Sequence, residues 1–137
     1  MDKRSEAREL AMQALYQFDV LGDYFFAELG AFLRENADDE LVRRLADEWT
    51  RGAWENVAAC DELIRTAALK WELSRLSAVD RSILRLGAYQ LQFCGEIPGK
   101  VVINEAIEIA KKYSGEQAPR FVNGVLDAIL RNLKAQD

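Results

Sequence analysis

Histidine is absent from all 137 residues, and cysteine and proline occur only twice each. Without histidine there is no imidazole to move protons near neutral pH and none to hold zinc. Cys60 and Cys94 are far apart in the chain and have no companions at metal-ligand spacing. Two readings of the pair stand, a disulfide or two buried small hydrophobes, and the overall composition favours the second. No stretch approaches the ~18 uninterrupted apolar residues of a membrane span, and the N-terminus lacks the charged-then-apolar pattern of a secretion signal. A cytoplasmic protein without membrane contact is expected. Also missing are a nucleophile beside a base, a glycine-rich phosphate loop and a metal-ligand cluster. Glu105 and Glu108, three apart on one face, read as a solvated pair. The expectation is a protein that is not an enzyme and uses no cofactor or metal.

The residues that are present describe a folded helical domain. Apolar residues make up 50% and charged residues 30%, the balance of a soluble globular protein. A chain this long forms one domain and buries about two-thirds of its unfolded surface. The few glycines and prolines fall between segments of helical period rather than between alternating runs. Leu10, Ala11, Ala14, Leu15, Phe18 and Leu21 predict a first helix over 3–21, ended by Gly22. Further helices are predicted over 24–36, 40–55 and 57–71. Ser77 and Asp80, in capping-box spacing, open a fifth at 78–94 that is apolar nearly all round. Pro98 and Gly99 start a sixth at 99–113, and Pro119 sits in the first turn of a seventh at 118–134.

Charge is unevenly spread. The net charge is −5, which taken alone argues against nucleic acid. Residues 23–62 hold eleven acids against four arginines, a balance of −7, whereas 65–134 hold eleven bases against seven acids, a balance of +4. Phosphate binding needs only a local basic surface, so an RNA face on an acidic protein stays open. So does the plainer reading, that the bases decorate solvated helix faces.

Three sets of residues qualify as binding candidates. In Lys3-Arg4-Ser5-Glu6-Ala7-Arg8 the two arginines lie one helical turn apart, with Tyr16 two turns further on. Cations on phosphates beside a ring that stacks an unpaired base are a common device for single-stranded RNA, and a solvated first turn is the alternative. Arg81 and Arg85 share one side of the fifth helix, where they either face a ligand or pair with acids on neighbouring helices. Phe121 is expected to be half core and half surface. Asn123, like Asn104 and Glu105, either contacts a ligand or tethers helices through a hydrogen bond. Gly124, inside the predicted last helix, costs roughly 1 kcal/mol against Ala, and following Asn123 it suggests either close backbone approach or a polar contact at a helix start.

Four blocks in order carry a resemblance along almost the whole chain. They are Ala7-Arg8-Glu9-Leu10-Ala11-Met12-Gln13-Ala14-Leu15-Tyr16, Leu76-Ser77-Ala78-Val79-Asp80-Arg81-Ser82-Ile83-Leu84-Arg85, the stretch Lys100 to Lys112, and Arg120-Phe121-Val122-Asn123-Gly124-Val125-Leu126-Asp127. The sequence resembles the NusB family of transcription antitermination factors. The resemblance implies an all-α fold of about seven helices in two small helical subdomains packed across one another, about 1–73 and 74–137, with the boundary near 70–77. It also implies binding of single-stranded, boxA-type leader RNA together with NusE, a small-subunit ribosomal protein. The setting would be the RNA polymerase antitermination complex on ribosomal RNA operons, with a homodimer left open for the free protein. By the same resemblance RNA binding falls to Lys3, Arg4, Arg8, Tyr16, Arg81, Arg85, Arg120, Phe121 and Asn123, and partner binding to Asp80, Arg81 and Phe121. Family members often carry a denser arginine run at the N-terminus; here Ser5 and Glu6 interrupt it.

Two other functions compete. The interrupted basic run and the acidic net charge suit a helical protein-interaction module without RNA binding. A similar domain is also fused to ribosomal RNA methyltransferases, although these 137 residues contain no α/β domain and no glycine-rich cofactor loop.

Overall fold

The computed structural model describes residues 2–136, in which seven α-helices and two short 3₁₀ turns occur and no strand is found. α1 (Lys3–Leu21) begins where the Asp2 carboxylate accepts the Arg4 N–H at 2.8 Å. It ends at Gly22, whose φ of +66° is a left-handed conformation that costs other residues roughly 1–2 kcal/mol. The pattern predicts a second helix from residue 24. Instead Gly22–Phe25 form a 3₁₀ turn and α2 spans Phe26–Asn36. The tighter turn sets Phe25 and Phe26 both edge-on to Phe18, with ring centroids 5.0 and 4.7 Å away. Aromatic packing, which helical periodicity does not register, decides the boundary.

α3 (Glu40–Glu55) is capped by Asp39, whose carboxylate accepts the N–H groups of Leu41 and Val42. α4 spans Val57–Ala67 and stops four residues short of the predicted 71. After Ala68 the chain turns back, with the Trp71 N–H on the Ala68 carbonyl, and a second 3₁₀ turn covers Leu73–Arg75. The turn buries Leu73 and leaves Leu69 and Trp71 exposed.

α5 (Ala78–Phe93) is the central helix. Every residue from Ser82 to Ala88 is buried, and it packs against α1, α3, α4, α6 (Gly99–Tyr113) and α7 (Ala118–Ala135). Its cap is half of the expected box. Ser77 Oγ accepts the Asp80 N–H at 3.1 Å, while the Asp80 carboxylate accepts from Ser114 Oγ at 2.6 Å, tying the start of α5 to the end of α6. One continuous core, with Phe18, Leu84, Leu126 and Ile129 fully buried, runs through all seven helices. No described helix is long and apolar enough to cross a membrane.

Close approach of α3 and α5 depends on Gly52. A Cβ there would lie 2.0 Å from the Tyr89 hydroxyl and 2.3 Å from the ring, and that ring is held by stacking on Phe93 at 5.4 Å. Alanine gains about 1 kcal/mol of helix propensity, but overpacking costs about 1–3 kcal/mol. Gly52→Ala is therefore expected to lower the urea midpoint in the native background and to raise it in a Tyr89→Ala background. The same sign in both would contradict this account of the contact.

Candidate functional site

The residues expected to bind divide sharply by exposure. Lys3 and Arg4 are exposed, and Lys3 Nζ lies 2.9 Å from Asp39 Oδ2. Tyr16 is 37% exposed. Arg8 does not join them. Its side chain is only 4% exposed; Nη1 donates to Glu105 Oε1 at 3.0 Å, and the guanidinium lies 5.1 Å from the Trp49 ring centroid. Ser5 Oγ donates to the same Glu105 oxygen. Burial pulls the Arg8 pKa down and Glu105 opposes that shift. A phosphate has no route to this guanidinium without displacing Glu105. Arg8 and Glu105 thus fix the start of α1 against α6, while Asn104 beside them is exposed.

The second pair is likewise turned inward. Arg81 grips Asp19 with a two-toothed fork, Nε to Oδ1 at 2.8 Å and Nη2 to Oδ2 at 2.7 Å. Its Nη1 donates to the carbonyls of Leu73 at 3.1 Å and Leu76 at 2.8 Å. Arg85 donates from Nη1 to Asp19 Oδ1 at 2.8 Å and from Nε to Asp61 Oδ1 at 2.8 Å. All four side chains are between 11% and 15% exposed. The hydrogen bond from Arg81 holds the Asp19 carboxyl below the usual carboxylate range, against the opposing effect of burial. Of the two readings that the helical pattern leaves open, pairing with neighbouring acids is the one the geometry takes. Neither guanidinium is directed at a ligand.

The third set lies on an open face between α4 and α7. Phe121 is half-buried and meets Trp71 edge-to-face, with centroids 5.1 Å apart and planes at 67°. Trp71 remains 58% exposed and Leu69 86%. Together with Lys70, Arg120 and Gly124 these residues line a depression of about 380 Å³. Asn123 is exposed alongside. A Cβ on Gly124 would meet nothing within 4 Å, so the close backbone approach expected there does not occur within the chain. Among the described residues Arg4, Lys70 and Arg120 form no ion pair, whereas most other cations do.

Trp71 and Lys70 were not candidates from the sequence. Trp71 falls in register with Val57, Cys60, Ile64 and Ala67, so periodicity marks it as core. Only the early end of α4 turns it outward. The two cysteines are buried free thiols, and burial pushes Cys60 up to about 12.

Known proteins match this chain along its full length. The sequence model of the NusB family matches residues 5–131. The transcription antitermination protein NusB of Sorangium cellulosum (strain So ce56) is 43% identical over 137 residues, covering 100% of this chain and 98% of the relative. That of Bacillus cereus (strain B4264) is 46% identical over 128 residues, covering 93% and 96%. A solved structure described as antitermination factors NusB and NusE in complex with dsRNA superposes with a TM-score of 0.83 at 30% identity, covering 96% of this chain and 98% of that one. This chain belongs to the NusB family.

Proposed function

We propose that the protein is a transcription antitermination factor that binds single-stranded leader RNA of the boxA type together with NusE and supports transcription of ribosomal RNA operons. It acts in the cytoplasm as an adaptor of the RNA polymerase antitermination complex and performs no catalysis. Its family and the antitermination relatives support the role. The observation that carries the RNA reading is the Trp71–Phe121 ring pair, open to solvent and flanked by Lys70 and Arg120. An exposed ring stacks an unpaired base, and adjacent cations meet the backbone phosphates. The relative solved with NusE holds double-stranded RNA, but stacking on Trp71 requires a free base face, which favours a single strand here.

To RNA binding we assign Lys3, Arg4 and Tyr16 on α1 and Lys70, Trp71, Arg120, Phe121 and Asn123 about the α4–α7 depression, with Arg8, Arg81 and Arg85 supporting them from inside. Asp80 and Phe121 serve the partner, and we place the boundary between the two helical subdomains near 70–77, within the α4–α5 connection. Mechanistically the protein is half of a clamp. Two modest affinities for one RNA become a tight one when the two proteins also hold each other. An acidic protein and a basic ribosomal partner attract each other and together present more positive surface to the RNA.

Trp71→Ala and Phe121→Ala are each expected to weaken single-stranded RNA binding by about 1–3 kcal/mol with little change in salt dependence. Arg4→Ala and Arg120→Ala should each flatten the slope of log K against log salt by about 0.7. Arg8→Ala should leave that slope unchanged and lower folding stability by about 1.5–3 kcal/mol, because Glu105 loses its charged donor. Equal titrations for the native protein and Trp71→Ala, or a duplex that binds better than a single strand, would overturn the stacking surface.

NusE is expected to tighten RNA binding, and RNA to tighten the protein pair by the same factor. Asp80→Lys should diminish this gain more than it diminishes binding of RNA alone. RNA affinities that are identical with and without NusE would favour the interaction-only module instead.

A further inference from the structure

The ring pair has no rigid element beneath its Trp71 half. Trp71 sits in the connection between α4 and α5, after α4 has ended at Ala67 and before the Leu73–Arg75 turn. Within the connection only single turn contacts are made, Trp71 N–H to Ala68, Arg75 N–H to Glu72 and Leu76 N–H to Leu73. Besides the burial of Leu73 and the contact of Trp71 with Phe121, what fastens this segment to the rest of the molecule is Arg81. Its Nη1 holds two of the segment's carbonyls, those of Leu73 and Leu76. A single nitrogen with two hydrogens can serve both carbonyls only if the guanidinium plane is fixed. The fixing is done from the other side of the fork, where Nε and Nη2 both donate to Asp19. Asp19 itself is held by Arg85, which Asp61 holds in turn.

We propose that Asp19, on α1, is a positioning residue for RNA binding, acting through Arg81 to set the 68–77 segment so that Trp71 stands against Phe121. This rests on the reading of Trp71 and Phe121 as a stacking surface. Asp19 touches no RNA in this arrangement. Its carboxylate orients the fork, the fork holds the Leu73 and Leu76 carbonyls, and the carbonyls fix where the indole two residues earlier projects. The preference for arginine at 81 follows from the same geometry. A lysine could pair with Asp19 but has no second arm to span the acid and the two carbonyls. Position 19 thereby becomes a determinant of RNA affinity although it lies in a different element from both rings.

The test is a double-mutant cycle of Asp19→Asn and Trp71→Ala in single-stranded RNA titrations, with the Trp71 indole N–H resonance followed in parallel and assigned by its loss in Trp71→Ala. Trp71→Ala should weaken binding about 5-fold or more, and Asp19→Asn should reproduce a large part of that loss. In the Trp71→Ala background Asp19→Asn should add less than about a twofold further change. The indole resonance should move in Asp19→Asn, while the salt slope that reports Arg4 and Arg120 stays as in the native protein. Arg81→Lys should give the same pattern, and it carries the test if Asp19→Asn lowers helicity. Native affinity in both variants, or losses fully additive with Trp71→Ala while the indole resonance stays in place, would overturn the inference. If Trp71→Ala itself leaves RNA binding untouched, the stacking surface is wrong. The role of Asp19 in RNA binding then falls with it. The resonance separates the two failures, since an indole that still moves in Asp19→Asn shows that the Asp19–Arg81 link to Trp71 is real and only the stacking reading is wrong.

Discussion

A single carboxylate, that of Asp19, accepts from two arginines of α5 and so joins the first helix of the chain to its central one. The contacts reach further through Asp61 on α4 and through the carbonyls of the α4–α5 connection. Such a network is poor evidence for net stability, because removing four charges from water costs nearly what their mutual attraction returns. Its effect is on geometry. Once the arginines are inside, each must find its carboxylate, since an uncompensated buried charge is far more costly than the pair is favourable. Alternative dockings of α1 on α5 that leave one of the four unpartnered are thereby penalised. The Arg8–Glu105 pair, covered by Trp49, applies the same constraint at the other end of α1. Two ion clusters along one helix fix both its rotation and its position along the axis.

How much of this was legible in the sequence depends on the range of the forces involved. Caps and breakers act locally, and they predict α1, α5, α6 and most of α7 closely: Gly22, Ser77 and Pro98 lie at the helix ends they mark. Where a boundary is set by tertiary contact, periodicity misplaces it. α2 starts late because Phe18 draws two phenylalanines into a tight turn, and α4 ends early although Trp71 continues its apolar stripe. The roles of the arginines were less legible still. Arg81 and Arg85 find Asp19 across 62 and 66 residues, and no helical spacing rule reaches so far. From the sequence, an arginine aimed at phosphate and one sunk against a distant aspartate look the same. The Phe121 end of the surface was visible through its motif, whereas Trp71 and Lys70 were concealed by a helix that should have continued.

Burying Arg8, Arg81 and Arg85 also changes what the surface can do. Many of the remaining cations are paired with acids one turn away, as in Arg44–Glu48, Arg51–Asp47 and Arg131–Asp127, and these exposed pairs neutralise each other's field without adding much stability. Few charges remain to attract a polyanion at long range on a chain of net charge −5. Ring stacking needs no such field and is only weakly screened by salt, so an aromatic face suits an acidic protein better than a basic stripe would.

The ties between α1 and α6 have a consequence for how the chain is made. Glu9 accepts from Lys112 and Tyr113, Gln13 donates to Tyr113, and Ser5 and Arg8 reach Glu105, all across roughly a hundred residues. During synthesis from the N-terminus, α1 emerges long before the helices that complete its burial exist. Its face of Leu10, Ala11, Ala14 and Leu15 has α3 to lean on, but its charges stay in water until α5 and α6 have left the ribosome. Contacts of such long sequence separation close late, after most of the entropy of the intervening loop has been lost. α1 therefore reaches its final surroundings only after α6 has been made.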